Sequence, residues 1–331
     1  MGSPTDTPRK WRITVLISGS GSNLQAILDA TQLPRDHPRS LAHCTVTAVF
    51  SSRSDAYGLT RARTFAPSPT PAEAFPLLRW KKAPGNAAKT RDDWEHALAA
   101  RIRATKPDLV VLAGWMLILG EPFLDALVRD WDESSSSSSP APAPVDALPS
   151  YDPTGASVGP GLATAGTSPY APTLHDKLQG RPVPIINLHP ALPGQFPGAH
   201  AIRDAWDAFN TPVESSLASS GTAASATLEA LGDAPAVPFA EAVAKTGGRR
   251  IEKTGLMIHR VIPLLDAGRP VVVREVPMVQ GESLEALEAR IHAVEHDAIV
   301  EAVGEVVRLV QDGTWWDEDD TGRGTGAAGD Q

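Results

Sequence analysis

The sequence predicts an α/β protein, a doubly wound and mostly parallel sheet with an antiparallel element near the C-terminus. Three observations lead there. Continuous apolar, β-branched runs of strand length recur at residues 11–17, 45–50 and 107–114, as expected of parallel strands covered on both faces. The first run passes through Ser18-Gly19-Ser20-Gly21-Ser22-Asn23 into Leu24, Ile27 and Leu28 at helical spacing, which is strand, glycine loop and helix in order. Towards the other end, runs at 254–261 and 271–276 are joined through Asp266-Ala267-Gly268-Arg269-Pro270. That connection is too short for a crossover helix, so the two strands are expected to pair antiparallel.

Each element can be justified in turn. A polar N-terminal tail to about Arg9 precedes the first strand, and the helix after the glycine loop has Ser22 or Asn23 as its expected N-cap. The run at 45–50 completes a βαβ unit, and Ser51-Ser52-Arg53-Ser54-Asp55 opens a short helix. Residues 66–90 are rich in Pro and Ala with little period, whereas Trp94, Leu98 and Ile102 predict a helix over 91–105. The strand at 107–114 is the strongest in the chain, and it delivers the apolar loop Trp115-Met116-Leu117-Ile118-Leu119-Gly120. Pro184-Ile185-Ile186-Asn187-Leu188-His189 reads as a short buried strand entering a Pro-punctuated loop, with a helix over 201–209 beyond it. Leu284, Leu287, Ile291, Val294, Ala298 and Ala302 mark one face of a long helix over 283–310.

Between these elements lie segments of another character. Six consecutive serines at 134–139 followed by alternating Pro and Ala mark a low-complexity insertion over 132–180, and an Ala- and Ser-rich stretch over 211–250 marks a second. Residues 312–331 form an acidic, Gly-rich tail that is expected to fray. The rest, 10–311, is read as a single domain.

Composition narrows the function classes. A formal net charge of -9 argues against a nucleic-acid or membrane-surface binder, yet a small anionic ligand held in a local pocket is still allowed. Cys44 stands alone, so no intramolecular disulfide is possible. No apolar run reaches the roughly 18 residues of a membrane span, and no signal-peptide pattern is present. A soluble cytoplasmic protein is expected.

The chemistry is sought at strand ends, because ligands of open α/β sheets bind outside the carboxyl ends of the strands. Asn187 and His189 leave such an end two residues apart. An isolated pair of this kind is more readily a turn cap and a satisfied polar residue beside prolines. Asp266, from a second strand end, would add a carboxylate. Imidazole suits proton transfer near neutral pH, a nearby carboxylate raises its pKa, and an amide N–H can stabilise an oxyanion. These are the parts needed for carbonyl or formyl transfer. The glycine loop suits a phosphate, since glycines permit close approach and a helix N-terminus favours an anion. It is neither the dinucleotide fingerprint, because Leu24 stands at the third glycine position, nor the P-loop, because the Gly-Lys-Ser/Thr is missing. Glu295 falls close to the buried face of the last helix, with His292 one turn earlier.

Taken together, Ile17-Ser18-Gly19-Ser20-Gly21-Ser22-Asn23-Leu24-Gln25-Ala26, Val111-Leu112-Ala113-Gly114-Trp115-Met116, Ile186-Asn187-Leu188-His189-Pro190-Ala191-Leu192 and Thr254-Gly255 through Asp266 resemble the phosphoribosylglycinamide formyltransferase family. The resemblance spans the chain apart from the insertions and tails, and it implies a formyltransferase-type Rossmann variant. The low-complexity insertions are similar to those of a eukaryotic, fungal-like member. The resemblance implies transfer of the formyl group of 10-formyltetrahydrofolate, a co-substrate, to the amine of glycinamide ribonucleotide without a metal. Asn187, His189 and Asp266 would be the catalytic set. Gly21, Ser22 and Asn23 match the phosphate loop, Glu295 the ribose contact with His292 nearby, and Arg91 an arginine placed near the ligands. Met116, Leu117, Ile118 and Leu119, with Ile262, Pro263, Leu264 and Leu265, match the walls of the folate pocket. Leu117 stands where bacterial members often carry an arginine. A formyltetrahydrofolate hydrolase, another formyl-folate-dependent formyltransferase and a non-catalytic nucleotide binder are the competing readings. The sequence does not decide between monomer and homodimer.

Overall fold

A computed structural model describes residues 9–128, 182–211 and 251–316. The two expected insertions, Thr211 apart, and the tail beyond Trp316 lie outside these residues. The elements are β1 (Trp11–Ile17), α1 (Ser22–Ala30), β2 (Cys44–Ser51), α2 (Tyr57–Thr64), β3 (Ala72–Ala74), α3 (Leu77–Lys82), α4 (Arg91–Ala104), β4 (Leu109–Leu112), α5 (Glu121–Val128), β5 (Ile185–His189), α6 (Ala201–Asn210), β6 (Lys253–Arg260), β7 (Pro270–Pro277) and α7 (Leu284–Asp312), followed by a short 3-10 turn (Thr314–Trp316).

The strands form one seven-stranded sheet in the order β3-β2-β1-β4-β5-β6-β7. β1 to β5 are parallel, and β6 and β7 run antiparallel, as the short connection between them requires. The order reverses between β1 and β4, which makes the crevice between their carboxyl ends the topological switch point where ligands of such sheets bind.

Alternation along each strand fills two cores. Ile13, Val15 and Ile17 of β1 point to the face covered by α1 and α7, while Leu16 points to the face covered by α4 and α5, as a period of two dictates. On the second face Phe75, Trp94 and Trp115 form a stacked ladder, with ring centroids 6.0 and 6.4 Å apart. Trp115 therefore anchors the start of the loop that leaves β4. α4 opens with a capping box, in which Thr90 and Asp93 each bond the other's backbone N–H, fixing the first turn that carries Arg91.

Three features differ from the sequence expectations. β3, α3 and α5 were not foreseen; β3 and α3 are too short to show a period. The N-cap of α1 is Gly21 in the left-handed region (φ 70°), with no side-chain cap bond, rather than Ser22 or Asn23. The tail does not fray at residue 312, because Trp315 is buried and the Arg260 guanidinium lies 4.0 Å over its ring. Among the described residues no helix is long and apolar enough to cross a membrane.

Candidate active site

The structure brings Asn187, His189 and Asp266 together. Asn187 and His189 are two residues apart on β5 and so project from the same face. Pairing with β6 sets His259 directly opposite Asn187, and the Asn187 Nδ2–H donates to His259 Nε2 at 3.2 Å. The His259 Nδ1 lies 2.8 Å from the Arg260 carbonyl oxygen. A carbonyl only accepts, so Nδ1 carries the hydrogen and Nε2 is left as the acceptor.

Asp266 comes from the loop between β6 and β7, in the left-handed region at φ 48°, which aspartate tolerates better than most residues. Gly268 closes that loop against β6, since a Cβ there would meet the Arg260 carbonyl oxygen at 1.8 Å. One oxygen of Asp266, Oδ2, accepts the Gly198 N–H at 2.9 Å and faces His189 Nδ1 at 3.4 Å. The other, Oδ1, takes the Asn187 Nδ2–H at 3.4 Å. His189 Nε2 is buried and makes no hydrogen bond within the protein.

The electrostatics of this cluster differ from the sequence expectation. Burial pushes the His189 imidazole below its ordinary pKa, with the Asp266 charge opposing and His259 adding to the shift. The carboxylate does raise the pKa as expected, but desolvation is the larger effect. Burial also works to raise Asp266, yet contact with His259, the charge at His189 and the Gly198 N–H together hold its carboxyl below the usual range. Burial thus favours the neutral imidazole, which sits beside the Asp266 carboxylate.

Across the switch point, the glycine loop packs backbone to backbone on α2. A Cβ on Gly21 would lie 2.5 Å from Gly58 Cα, so this approach needs glycine. With no side-chain cap, the first-turn N–H groups of α1 are not taken by a capping side chain, a geometry that suits an anion. Asn23 turns away from capping and donates Nδ2–H to Glu295 Oε2 at 2.9 Å. Glu295, expected close to the buried face of the last helix, is buried. The Asn23 Oδ1 is buried without a partner. His292 is exposed one turn before Glu295, and the structure does not bring it into the Asn23–Glu295 pair. Arg61, a residue that sequence reasoning missed, donates its Nε–H to the Ser20 carbonyl oxygen at 2.9 Å and stacks 5.1 Å over Tyr57. It supplies positive charge beside the loop.

The apolar loop after β4 presents Met116 and Ile118 to solvent, as Leu264 is presented from the segment containing Ile262, Pro263 and Leu265. Leu119 is buried and Leu117 half-buried. Arg91 lies at this loop: its Nη2 donates to the Ile118 carbonyl oxygen and its Nε pairs with Glu95 at 3.1 Å. Glu95 in turn accepts the Gly120 N–H at 3.0 Å. Among the described residues no group of three or more His, Cys, Asp or Glu side chains is arranged to hold a metal ion.

This fold and site define an α/β group-transfer enzyme in outline, and comparison with known proteins makes the outline specific. The formyl transferase family model matches residues 11–130 and 240–303. The phosphoribosylglycinamide formyltransferase of Schizosaccharomyces pombe is 32% identical over 295 residues, which cover 89% of this chain and 96% of that protein. The enzyme of the same name from Saccharomyces cerevisiae is 32% identical over 310 residues, covering 90% and 97%. The crystal structure of glycinamide ribonucleotide transformylase 1 from Symbiobacterium toebii aligns with a TM-score of 0.53 at 25% identity, covering 94% of this chain and 92% of that one. The chain belongs to the formyl transferase family.

Proposed function

We propose that the chain transfers the formyl group of 10-formyltetrahydrofolate to the amine of phosphoribosylglycinamide. The observation that carries this reading is the convergence of Asn187, His189 and Asp266 in one partly buried cluster, beside the switch point and its uncapped helix N-terminus.

The chemistry follows from the atoms in place. The amine nitrogen attacks the formyl carbon, a C–N bond forms, and the formyl oxygen takes the negative charge. Asn187 Nδ2 is the donor for that oxygen; its long contact to Asp266 Oδ1 at 3.4 Å is the one exchanged, while the bond to His259 keeps the amide turned. His189 Nε2 takes the proton shed by the amine and returns it to N10 of the folate as the bond between that nitrogen and the formyl carbon breaks. Asp266 stabilises the imidazolium in the interval. One formyl group moves, and the proton lost by the amine is the one gained by the folate.

Binding is assigned in the same way. The backbone at Gly21, Ser22 and Asn23 holds the phosphate, the buried Glu295 carboxylate accepts the ribose hydroxyls, and His292 lies one turn away. Residues 116–119 and 262–265 wall the folate, with Arg91 bracing the first of them. The protein acts in the cytoplasm, as monomer or homodimer, without a metal.

Purified protein supplied with both substrates should yield formylated ribonucleotide and tetrahydrofolate in equal amounts. Formate release from the folate, independent of the amine, would identify a hydrolase instead.

A further inference from the structure

Ser18, the first residue after β1, is polar yet buried, and the chemistry described above makes no use of it. Its Oγ accepts the Met116 N–H at 2.9 Å and lies 2.5 Å from Ser52 Oγ. A hydroxyl has one hydrogen to give. Ser18 and Ser52 share one hydrogen bond in which either hydroxyl can be the donor, since Ser18 keeps a second acceptor lone pair beside the one taken by Met116. Ser52 is itself fixed to the end of β1, since its N–H donates to the Ile17 carbonyl oxygen at 3.1 Å. Three loops, those leaving β1, β2 and β4, are therefore tied at one buried point.

That point lies at the near end of the apolar wall. The far end is held from α4, where Arg91 donates to the Ile118 carbonyl oxygen and Glu95 accepts the Gly120 N–H. Between the two anchors stand the exposed side chains of Met116 and Ile118. Without Ser18 Oγ the Met116 N–H has lost its acceptor, and the near end of the wall is free to turn. The far end would stay in place.

We infer that Ser18, backed by Ser52, is a positioning residue that sets the wall at residues 116–119 from the end of the strand that carries the phosphate loop. The inference rests on the reading above that this wall lines the folate pocket.

Steady-state kinetics of Ser18→Ala, Ser52→Ala and the double variant test it. Ser18→Ala should raise the KM for 10-formyltetrahydrofolate by about tenfold, the value of one ordinary hydrogen bond. The KM for the ribonucleotide and kcat should stay within about twofold. Ser52→Ala should give a smaller rise of the same kind, and the double variant should be no worse than Ser18→Ala, since residues in one network are not additive. An unchanged folate KM in Ser18→Ala, equal rises in both KM values, or additive effects of the two serines would overturn the inference. Ile118→Glu separates this failure from a failure of the pocket assignment. If Ile118→Glu raises the folate KM and Ser18→Ala does not, the positioning role alone falls. If neither does, the wall is not part of the folate site and both fall.

Discussion

Asp266 Oδ2 faces His189 Nδ1 at 3.4 Å while the same oxygen accepts the Gly198 N–H at 2.9 Å. The carboxylate is thus anchored by backbone and presented to an imidazole whose pKa burial has lowered. A neutral His189 is the form that can take a proton, so kcat/KM should lose activity on the acid side with an apparent pKa below 6.5, the ordinary histidine value. Asp266→Asn removes the charge that opposes the shift, so the acid limb should move to still lower pH while turnover falls by roughly a hundredfold or more. Folding stability carries the same sign. The folded state binds fewer protons at His189 than the unfolded chain does, so stability should drop as pH falls through 6.5 towards the lowered pKa. A pH–rate profile with its acid limb above 6.5 would contradict this account.

His259 is expected to act through Asn187. Its Nε2 accepts the Asn187 Nδ2–H, and its own orientation is fixed by the Arg260 carbonyl. His259→Phe keeps a ring in the site but removes the acceptor, so the Asn187 amide is free to turn. Turnover should fall by about tenfold, the value of one misdirected hydrogen bond, with both KM values changed less than kcat. Pre-steady-state measurement of the formyl-transfer step would place the loss in chemistry.

Glu295 holds Asn23 from across the domain. Glu295→Ala would leave the buried Asn23 amide without its acceptor, and unfolding should show a loss of about 1–3 kcal/mol. Glu295→Gln can still accept that hydrogen bond and should be nearly as stable as the parent. Both variants lose the carboxylate proposed to meet the ribose, so both should bind the ribonucleotide more weakly by calorimetric titration. Unchanged ribonucleotide affinity in both would detach Glu295 from the substrate.

Much of this was legible in the chain because it rests on patterns the chain repeats. The apolar runs at β1, β2 and β4 and the helix-spaced face of α7 follow directly from burial on two faces and on one. Asn187 and His189 were legible as residue types at a strand end; Asp266 was expected at a second strand end and instead stands within the loop between β6 and β7. His259 was not, because it stands among Leu256, Met257 and Ile258 in a strand where nearly every position is buried. Only the antiparallel register opposite Asn187 reveals it. Ser18 and Arg61 escaped for a related reason: both act through backbone groups of loops distant in sequence, and no spacing encodes those meetings. The lowered pKa of His189 depends on how deeply the cluster is buried, which no local pattern states.

The central claim is that His189 is the proton-transfer group of a formyl-transfer centre, and the turnover of His189→Ala with phosphoribosylglycinamide and 10-formyltetrahydrofolate tests it most directly. Turnover should fall by at least about a hundredfold, with ribonucleotide affinity little changed because the glycine loop proposed to hold the phosphate lies across the switch point. A His189→Ala protein that retained full activity would contradict the account.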